Sequence, residues 1–309
     1  MNMKKTVQLI LFLFLFINAF AQKKLLPGEH FAHINGFKMH YYVSGSGPVC
    51  LVPSPGWGPS INYLKKSLQP FEKVFTMVYY DTRISGLSTG PKDPSQYTSN
   101  NFMDDMDSLR SYLGQPKVWL IGHTAGGFQA LYYGIHHNDE LNGMIVIDAI
   151  AGKDSLYEKE VTRMIKKREG QPYYQKGADI LFDKDTVHYT NSQARKYVLP
   201  FYFHDTTKIK DFENLHPQIS DKASVYTDVS KFASEYLFPD LHKITVPTLV
   251  IVGDDDFISN KVSEADRIAA MIPSSTEIVI KDAGHFCWIE QPGQFFTQCL
   301  QWLKTQAVQ

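Results

Sequence analysis

The sequence predicts an α/β protein, a mostly parallel, doubly wound sheet with one helical cap (lid) inserted into it. Three observations carry that prediction. Strand-length apolar runs alternate with helical patterns up to residue 148 and resume at residue 247. The runs are continuously apolar instead of alternating, as strands covered on both faces must be. Between the two blocks, residues 152–240 hold helix and loop patterns dense in Tyr and Phe.

In chain order, residues 31–35 and 37–43 read as strands joined at Asn35-Gly36, a strong hairpin signal. Residues 49–52 form a short buried strand, followed by a rigid loop over 53–59 with three prolines and a helix capped by Ser60. A β-branched and aromatic strand covers 74–80 and ends at Asp81. Helical spacing of Phe102, Met103, Met106, Leu109 and Leu113 predicts a helix over 101–113, stopped by Gly114. Further strands fall at 118–121, 144–147, 247–252 and 277–280. Helices follow at 126–136, 261–271 and 293–304, and within the insertion at 155–168 and 224–237.

The chain of 309 residues, 43% hydrophobic, is long enough to bury a full core. Its formal net charge of -1 argues against nucleic acid or an anionic membrane surface as partner. Three cysteines, Cys50, Cys287 and Cys299, do not make a disulfide scaffold, though one pair could be bridged. Their spacing and lack of partner histidines argue against a metal site. No cofactor is expected.

The N-terminus reads as a separate object. Met1 to Lys5 is basic, residues 9–17 are an unbroken run of Leu, Ile and Phe, and Ala19 and Ala21 stand where a signal peptidase reads small residues. The run is short for a membrane span, so residues 1–21 are expected to be a secretory signal peptide. The mature protein would then be periplasmic or secreted, with no stable membrane span; an uncleaved anchor is the alternative. The expected division is a first core part at 22–151, the helical cap at 152–240 and a second core part at 241–309.

The chemistry concentrates where strands end. Gly122, His123, Thr124, Ala125, Gly126 and Gly127 follow the strand at 118–121 and open a helix. A strand that turns at once into a helix needs small flanking residues, because the two backbones nearly touch. That is the geometry of a nucleophile elbow, G-x-S-x-G, with Thr124 at the tip instead of Ser. Asp256 follows the strand at 247–252, and His285 follows the strand at 277–280. Nucleophile, acid and base stand in the order of a hydrolase triad.

With these motifs in place the sequence resembles the α/β-hydrolase superfamily, in particular its proline iminopeptidase-like branch. Residues 52–56 resemble the H-G-G-P-G oxyanion loop, with Val52 in place of His. Residues 81–88 resemble D-x-R-G-x-G-x-S, with Ile84 in place of Gly. The resemblance implies that His285 takes the Thr124 proton and that Asp256 orients His285, with Asp254, Asp255 and Asp148 as competitors. It implies an oxyanion hole made by the backbone N–H groups of Ala125 and Ser54, since Pro53 and Pro55 have none. Trp57 is expected to wall the substrate pocket, or simply to pack. Arg83 is expected to tie its loop to carbonyls, and Ile84 to be strained if its position needs positive φ. His123 is given no role, and Cys287 lacks an elbow of its own.

The expected activity is hydrolysis of esters, amides or N-terminal peptide bonds through an acyl-Thr124 intermediate, on a small-molecule or short-peptide substrate. An aminopeptidase would also need a cap carboxylate for the substrate amine, from Glu158, Glu160, Glu169, Glu213 or Glu235. The alternative is a catalytically silent α/β-hydrolase fold that binds a small apolar ligand, because the Thr124 methyl restricts χ1 and crowds a tetrahedral intermediate. The oligomeric state is not legible.

Overall fold

A computed structural model of the chain describes residues 25–306. The predicted signal segment at 1–21 lies outside the described residues. Eight strands form one sheet: β1 (Gly28–Ile34), β2 (Phe37–Gly45), β3 (Val49–Pro53), β4 (Thr76–Tyr80), β5 (Val118–His123), β6 (Leu141–Ile147), β7 (Thr248–Gly253) and β8 (Ser275–Ile280). Their order across the sheet is β1-β2-β4-β3-β5-β6-β7-β8. β1 and β2 pair antiparallel, as do β2 and β4; every other pairing is parallel. The turn between β1 and β2 is Asn35-Gly36, with φ of 46° and 83°. Positive φ at both positions is what a two-residue hairpin turn requires, and Asn-Gly tolerates it at low cost.

Helices α1 (Asn62–Ser67), α2 (Ser99–Tyr112), α3 (Ala125–His136), α4 (Ser155–Lys166), α5 (Tyr174–Leu181), α6 (Asn191–Val198), α7 (Ile209–Glu213), α8 (Asp221–Ser230), α9 (Asp266–Met271), α10 (Cys287–Glu290) and α11 (Pro292–Thr305) complete the fold. α4 to α8 all lie between β6 and β7. Each central strand feeds two cores. Leu51, Val78, Leu120, Val146 and Val250 point to one face, with Leu109 of α2 and Leu131 of α3. Val52, Tyr79, Ile121, Ile145 and Ile251 point to the other, with Trp302 of α11. Covering both faces buries nearly every residue of β3, β4, β5, β6 and β7, which is why those runs read as continuously apolar.

Three helices depart from expectation. The helix expected to be capped by Ser60 is α1, whose N-cap is Ile61, without a side-chain cap hydrogen bond. The pattern at 224–237 forms only α8, which ends at Lys231 with φ 55°; Phe232 then leaves the helix to stack on Phe102 of α2, ring centroids 4.2 Å apart. The pattern at 261–271 begins with a wider π-type turn over Lys261–Ala265 before α9. Asn260 caps that turn by accepting from the Ser263 N–H at 3.0 Å.

Candidate active site

β5 runs into α3 with a single residue between them, Thr124, at φ 53° and ψ -121°. Positive φ in a β-branched residue is an outlier that persists only where its surroundings impose it. Here the imposition is visible. A Cβ on Gly122 would stand 2.2 Å from the Gly126 carbonyl oxygen, and one on Gly127 would stand 2.6 Å from the Ala149 Cβ. The Thr124 N–H donates to Ile147 O of β6 at 3.0 Å, which holds the turn against the neighbouring strand.

His285 and Asp256 come from the loops after β8 and β7, brought together by the parallel pairing of those strands. His285 Nδ1 lies 2.7 Å from Asp256 Oδ2. Asp256 Oδ1 accepts the backbone N–H of Ile258 at 2.9 Å and of Ser259 at 3.2 Å. Both oxygens of the carboxyl thus have hydrogen-bond partners, which is what a fully buried acid needs. Nδ1 of His285 is then the protonated nitrogen, leaving Nε2 free to accept. Among the described residues, no hydrogen bond joins the Thr124 hydroxyl to His285; such bonds often tighten only when substrate binds.

The competing acids go elsewhere. Asp255 pairs with Lys167 at 2.6 Å and with His204 at 3.1 Å, and its carbonyl accepts from Arg168 at 2.9 Å. Asp254 accepts from the Ala283 N–H at 3.3 Å. Asp148 Oδ1 accepts the Gly253 N–H at 2.9 Å. Burial, and then the charge of Asp256, push the Asp148 carboxyl well above its ordinary range. Asp148 therefore gives up its proton less readily than an exposed carboxyl does.

Ser54 requires a correction. Its N–H donates to Tyr80 O at 2.9 Å, the bond that closes the last parallel pair of the β3–β4 ladder, Pro53 with Tyr80. Its hydroxyl is 2.8 Å from that of Thr82, and the residue is closed to water. The N–H predicted for the oxyanion hole is thus already spent in the sheet. Three residues on, the Trp57 N–H has no acceptor among the described residues. The Gly56 carbonyl on the other side of that peptide accepts from the Tyr97 hydroxyl, which turns the Trp57 N–H the opposite way. Trp57 lines the same cavity as Thr124 and Ala125. Its carbonyl accepts from Ser224 Oγ of α8 at 2.8 Å. Ser60 N donates to Gln218 O at 2.8 Å and Ser220 N to Gly58 O at 2.9 Å, so the segment before α8 clamps this loop.

His123 lies behind the site. Its Nδ1 accepts from the Tyr63 hydroxyl at 2.9 Å and its Nε2 donates to His285 O at 2.9 Å. Burial, and then the neighbouring His285, push its pKa well down, so the ring is neutral and serves as a fixed strut under His285. Sequence reasoning gave it no role; only the tertiary contact identifies it as support. Cys287 is fully buried, its thiol pushed well up by burial first and then by Asp148, so it is no thiolate nucleophile. Cys50 and Cys299 are also free and buried.

In the neighbouring loop, Arg83 reaches the Gln96 carbonyl at 3.0 Å, but its main partner is Asp105, held by Nη2 at 2.8 Å and by Nε. Ile84 does take positive φ, 61°. The loop tolerates it because Ile84 N–H bonds Thr89 O at 3.1 Å and the side chain packs on the Tyr97 cluster.

Thr124, Ala125, His285 and Trp57 open onto one cavity of about 420 Å³, walled mainly by aromatic and aliphatic side chains. Its roof comes from between β6 and β7, with Ala194, Val198, Leu199, Tyr202 and Phe232 among the lining. Tyr202 also accepts the His285 N–H on its carbonyl at 2.8 Å, tying the roof to the general-base position. Among the described residues, no cluster of three or more His, Cys, Asp or Glu is placed to hold a metal ion, and no helix is long and apolar enough to cross a membrane.

An eight-stranded, mostly parallel sheet with a strained turn between β5 and α3, and an acid and a histidine after β7 and β8, defines an α/β-hydrolase. Residues 49–292 match the family described as alpha/beta hydrolase fold, so the chain belongs to that family. It is a hydrolase of the proline iminopeptidase-like branch. The chain is 25% identical to a proline iminopeptidase of Saccharolobus solfataricus over 85% of its own length and 86% of the relative's. It is 33% identical to a soluble epoxide hydrolase of a Corynebacterium species, covering 85% and 93% respectively. Among solved structures, a proline iminopeptidase-related protein of Thermus thermophilus superposes with a TM-score of 0.73 at 20% identity, over 92% of this chain and 99% of that one.

Proposed function

We propose that the protein hydrolyses esters or amides through an acyl-enzyme on Thr124. The observation that carries this reading is the 2.7 Å contact of His285 with a buried Asp256, opening onto the cavity that also exposes Thr124. In this mechanism Thr124 Oγ1 attacks the acyl carbon and its proton passes to His285 Nε2. The tetrahedral oxyanion lies against the N–H groups of Ala125 and Trp57. His285 returns the proton to the leaving group. A water, deprotonated by His285, then releases the acid and restores Thr124.

The names of the relatives cover several bond types, and position 124 narrows them. Opening an epoxide through a covalent ester intermediate needs a carboxylate nucleophile, whereas Thr124 supplies an alcohol. N-terminal peptide cleavage needs a carboxylate for the amine. Glu158, Glu160, Glu169, Glu213 and Glu235 are all absent from the cavity lining, and the acid that does line it, Asp228, is exposed and shares the cavity with Lys153 and Arg195. Glu160 bonds Arg163 at 2.8 Å and Glu235 accepts from Ser99 at 2.8 Å. Ester or amide hydrolysis is therefore the reading the site supports best.

The test is turnover of p-nitrophenyl esters and prolyl-arylamides by wild type, Thr124→Ser and Thr124→Ala. Removing the β-methyl should make Thr124→Ser faster than wild type, and Thr124→Ala should be inactive. Equal residual rates in all three overturn the mechanism. A fluorophosphonate probe that labels only the Ser variant would instead favour a silent fold that binds a small apolar ligand. Export is also proposed, on the basic start and apolar run at 9–17. Mass spectrometry of the protein from its own cell envelope or medium should find a chain beginning at Gln22.

A further inference from the structure

The cavity over Thr124 is mostly apolar, but three of its lining residues carry a formal charge: Lys153, Arg195 and Asp228. Lys153 and Asp228 are exposed, while Arg195, on α6, is half-buried. Arg195 Nε and Nη2 are both shut off from water and neither has a hydrogen-bond acceptor. Glu213 Oε1 stands 3.6 Å from Nη2, too far for a hydrogen bond, and its side chain is 56% exposed. Such a pair is well solvated on the acid side and neutralises little of the buried charge. The guanidinium carbon lies 5.4 Å from the Phe212 ring centroid, and Phe212 also lines the cavity. A guanidinium offers five donors in a fixed fork; with Nε and Nη2 enclosed, the nitrogen left to meet a ligand in the cavity is Nη1, on a side chain 26% exposed.

We propose that Arg195 is a specificity residue that receives a carboxylate on the substrate, remote from the bond being cut. This rests on the hydrolase reading of the same cavity and names its substrate class: esters or amides whose acyl part ends in a carboxylate, such as half-esters of short dicarboxylic acids. A carboxylate in the cavity pairs with the Arg195 guanidinium through Nη1, a charge-assisted contact. Lys153 adds a second positive charge against the single acid, Asp228. The apolar lining accommodates the methylene chain between the two ends. A substrate with a free ammonium would meet the opposite field, two cations and one exposed acid. The carboxylate takes no part in bond making; it supplies binding energy that orients the acyl carbon at Thr124.

The experiment compares p-nitrophenyl half-esters of succinate, glutarate and adipate with the same compounds capped as neutral methyl esters. For wild type, kcat/KM should favour at least one free acid over its methyl ester by 10-fold or more. In Arg195→Met that preference ratio should fall at least 10-fold, chiefly through KM, and Arg195→Lys should recover part of it. A ratio unchanged in Arg195→Met, or a wild type that favours the methyl esters, overturns the proposal. To separate it from the catalytic reading, calorimetric binding of monomethyl glutarate is measured on Thr124→Ala and on Thr124→Ala with Arg195→Met, both checked by circular dichroism. Weaker binding by 10-fold or more without Arg195 upholds the carboxylate site even if no ester is turned over. Equal binding, or none in either, sinks it.

Discussion

His285 Nδ1 stands 2.7 Å from Asp256 Oδ2, and both side chains are closed to water, 3% and 0% exposed. Asp256 is the group that selects the histidine tautomer, since its other oxygen is committed to the Ile258 and Ser259 N–H groups. In Asp256→Asn the carbonyl oxygen would keep those two donors, and the amide nitrogen would face His285. The ring would then present Nδ1 as an acceptor and carry its proton on Nε2, where it cannot take the Thr124 proton. The loss in kcat on a p-nitrophenyl ester should be about 10⁴-fold, as when the orienting acid of a triad is neutralised, with an unchanged circular dichroism spectrum. A loss under about 10-fold means that Asp256 does not orient the base.

The proposed oxyanion donor at Trp57 is tested through its backbone. Trp57→Pro removes the N–H together with the indole, whereas Trp57→Phe removes only the indole's shape. Trp57→Pro should lower kcat about 10²–10³-fold more than Trp57→Phe, the range for one lost oxyanion donor. Equal effects would assign Trp57 to the pocket wall alone. No comparable effect is expected from Ser54, whose N–H belongs to the sheet.

Glu264 provides a pH signature unrelated to catalysis. It is fully closed to water, with Oε2 accepting the Ala151 N–H at 2.7 Å and Oε1 without a partner. Burial raises its pKa from 4.5 to about 8. Between those values the unfolded chain releases the proton and the folded protein keeps it, so stability falls as pH rises from about 4.5 to 8. Glu264→Gln mimics the neutral acid and still accepts from Ala151. The variant should gain urea stability relative to wild type at pH 8, and the gain should shrink at pH 5. A difference independent of pH would show that Glu264 does not titrate in that window.

Local rules made much of the site legible. The small residues at 122, 126 and 127 announce the elbow because a strand cannot turn into a helix in one residue with bulk on either side. The contacts a Cβ would make at Gly122 and Gly127 express the same constraint in ångströms. Of the three acids after β7, Asp256 is the one that lies 2.7 Å from His285. The Ile84 substitution was readable as a conflict between a β-branched residue and a position of positive φ, and φ 61° is what occurs.

By itself, the sequence determined the α/β class, the eight strands and the elbow, because apolar runs, turn chemistry and glycine sterics act within a few residues. Tertiary structure alone decided which donors and charges remain free to act. The last pair of the β3–β4 ladder, Pro53 with Tyr80, takes the Ser54 N–H, and no local pattern states where a ladder ends. His123 becomes a strut only because its ring reaches the His285 carbonyl from 162 positions away in the chain. Arg195 is one of many charged residues between β6 and β7, in a segment whose sequence shows no charge bias. What distinguishes it is α6 packing over the cavity, with two enclosed guanidinium nitrogens that make no hydrogen bond and Glu213 no nearer than 3.6 Å. Long-range packing sets such contacts, and a one-dimensional pattern carries no record of them.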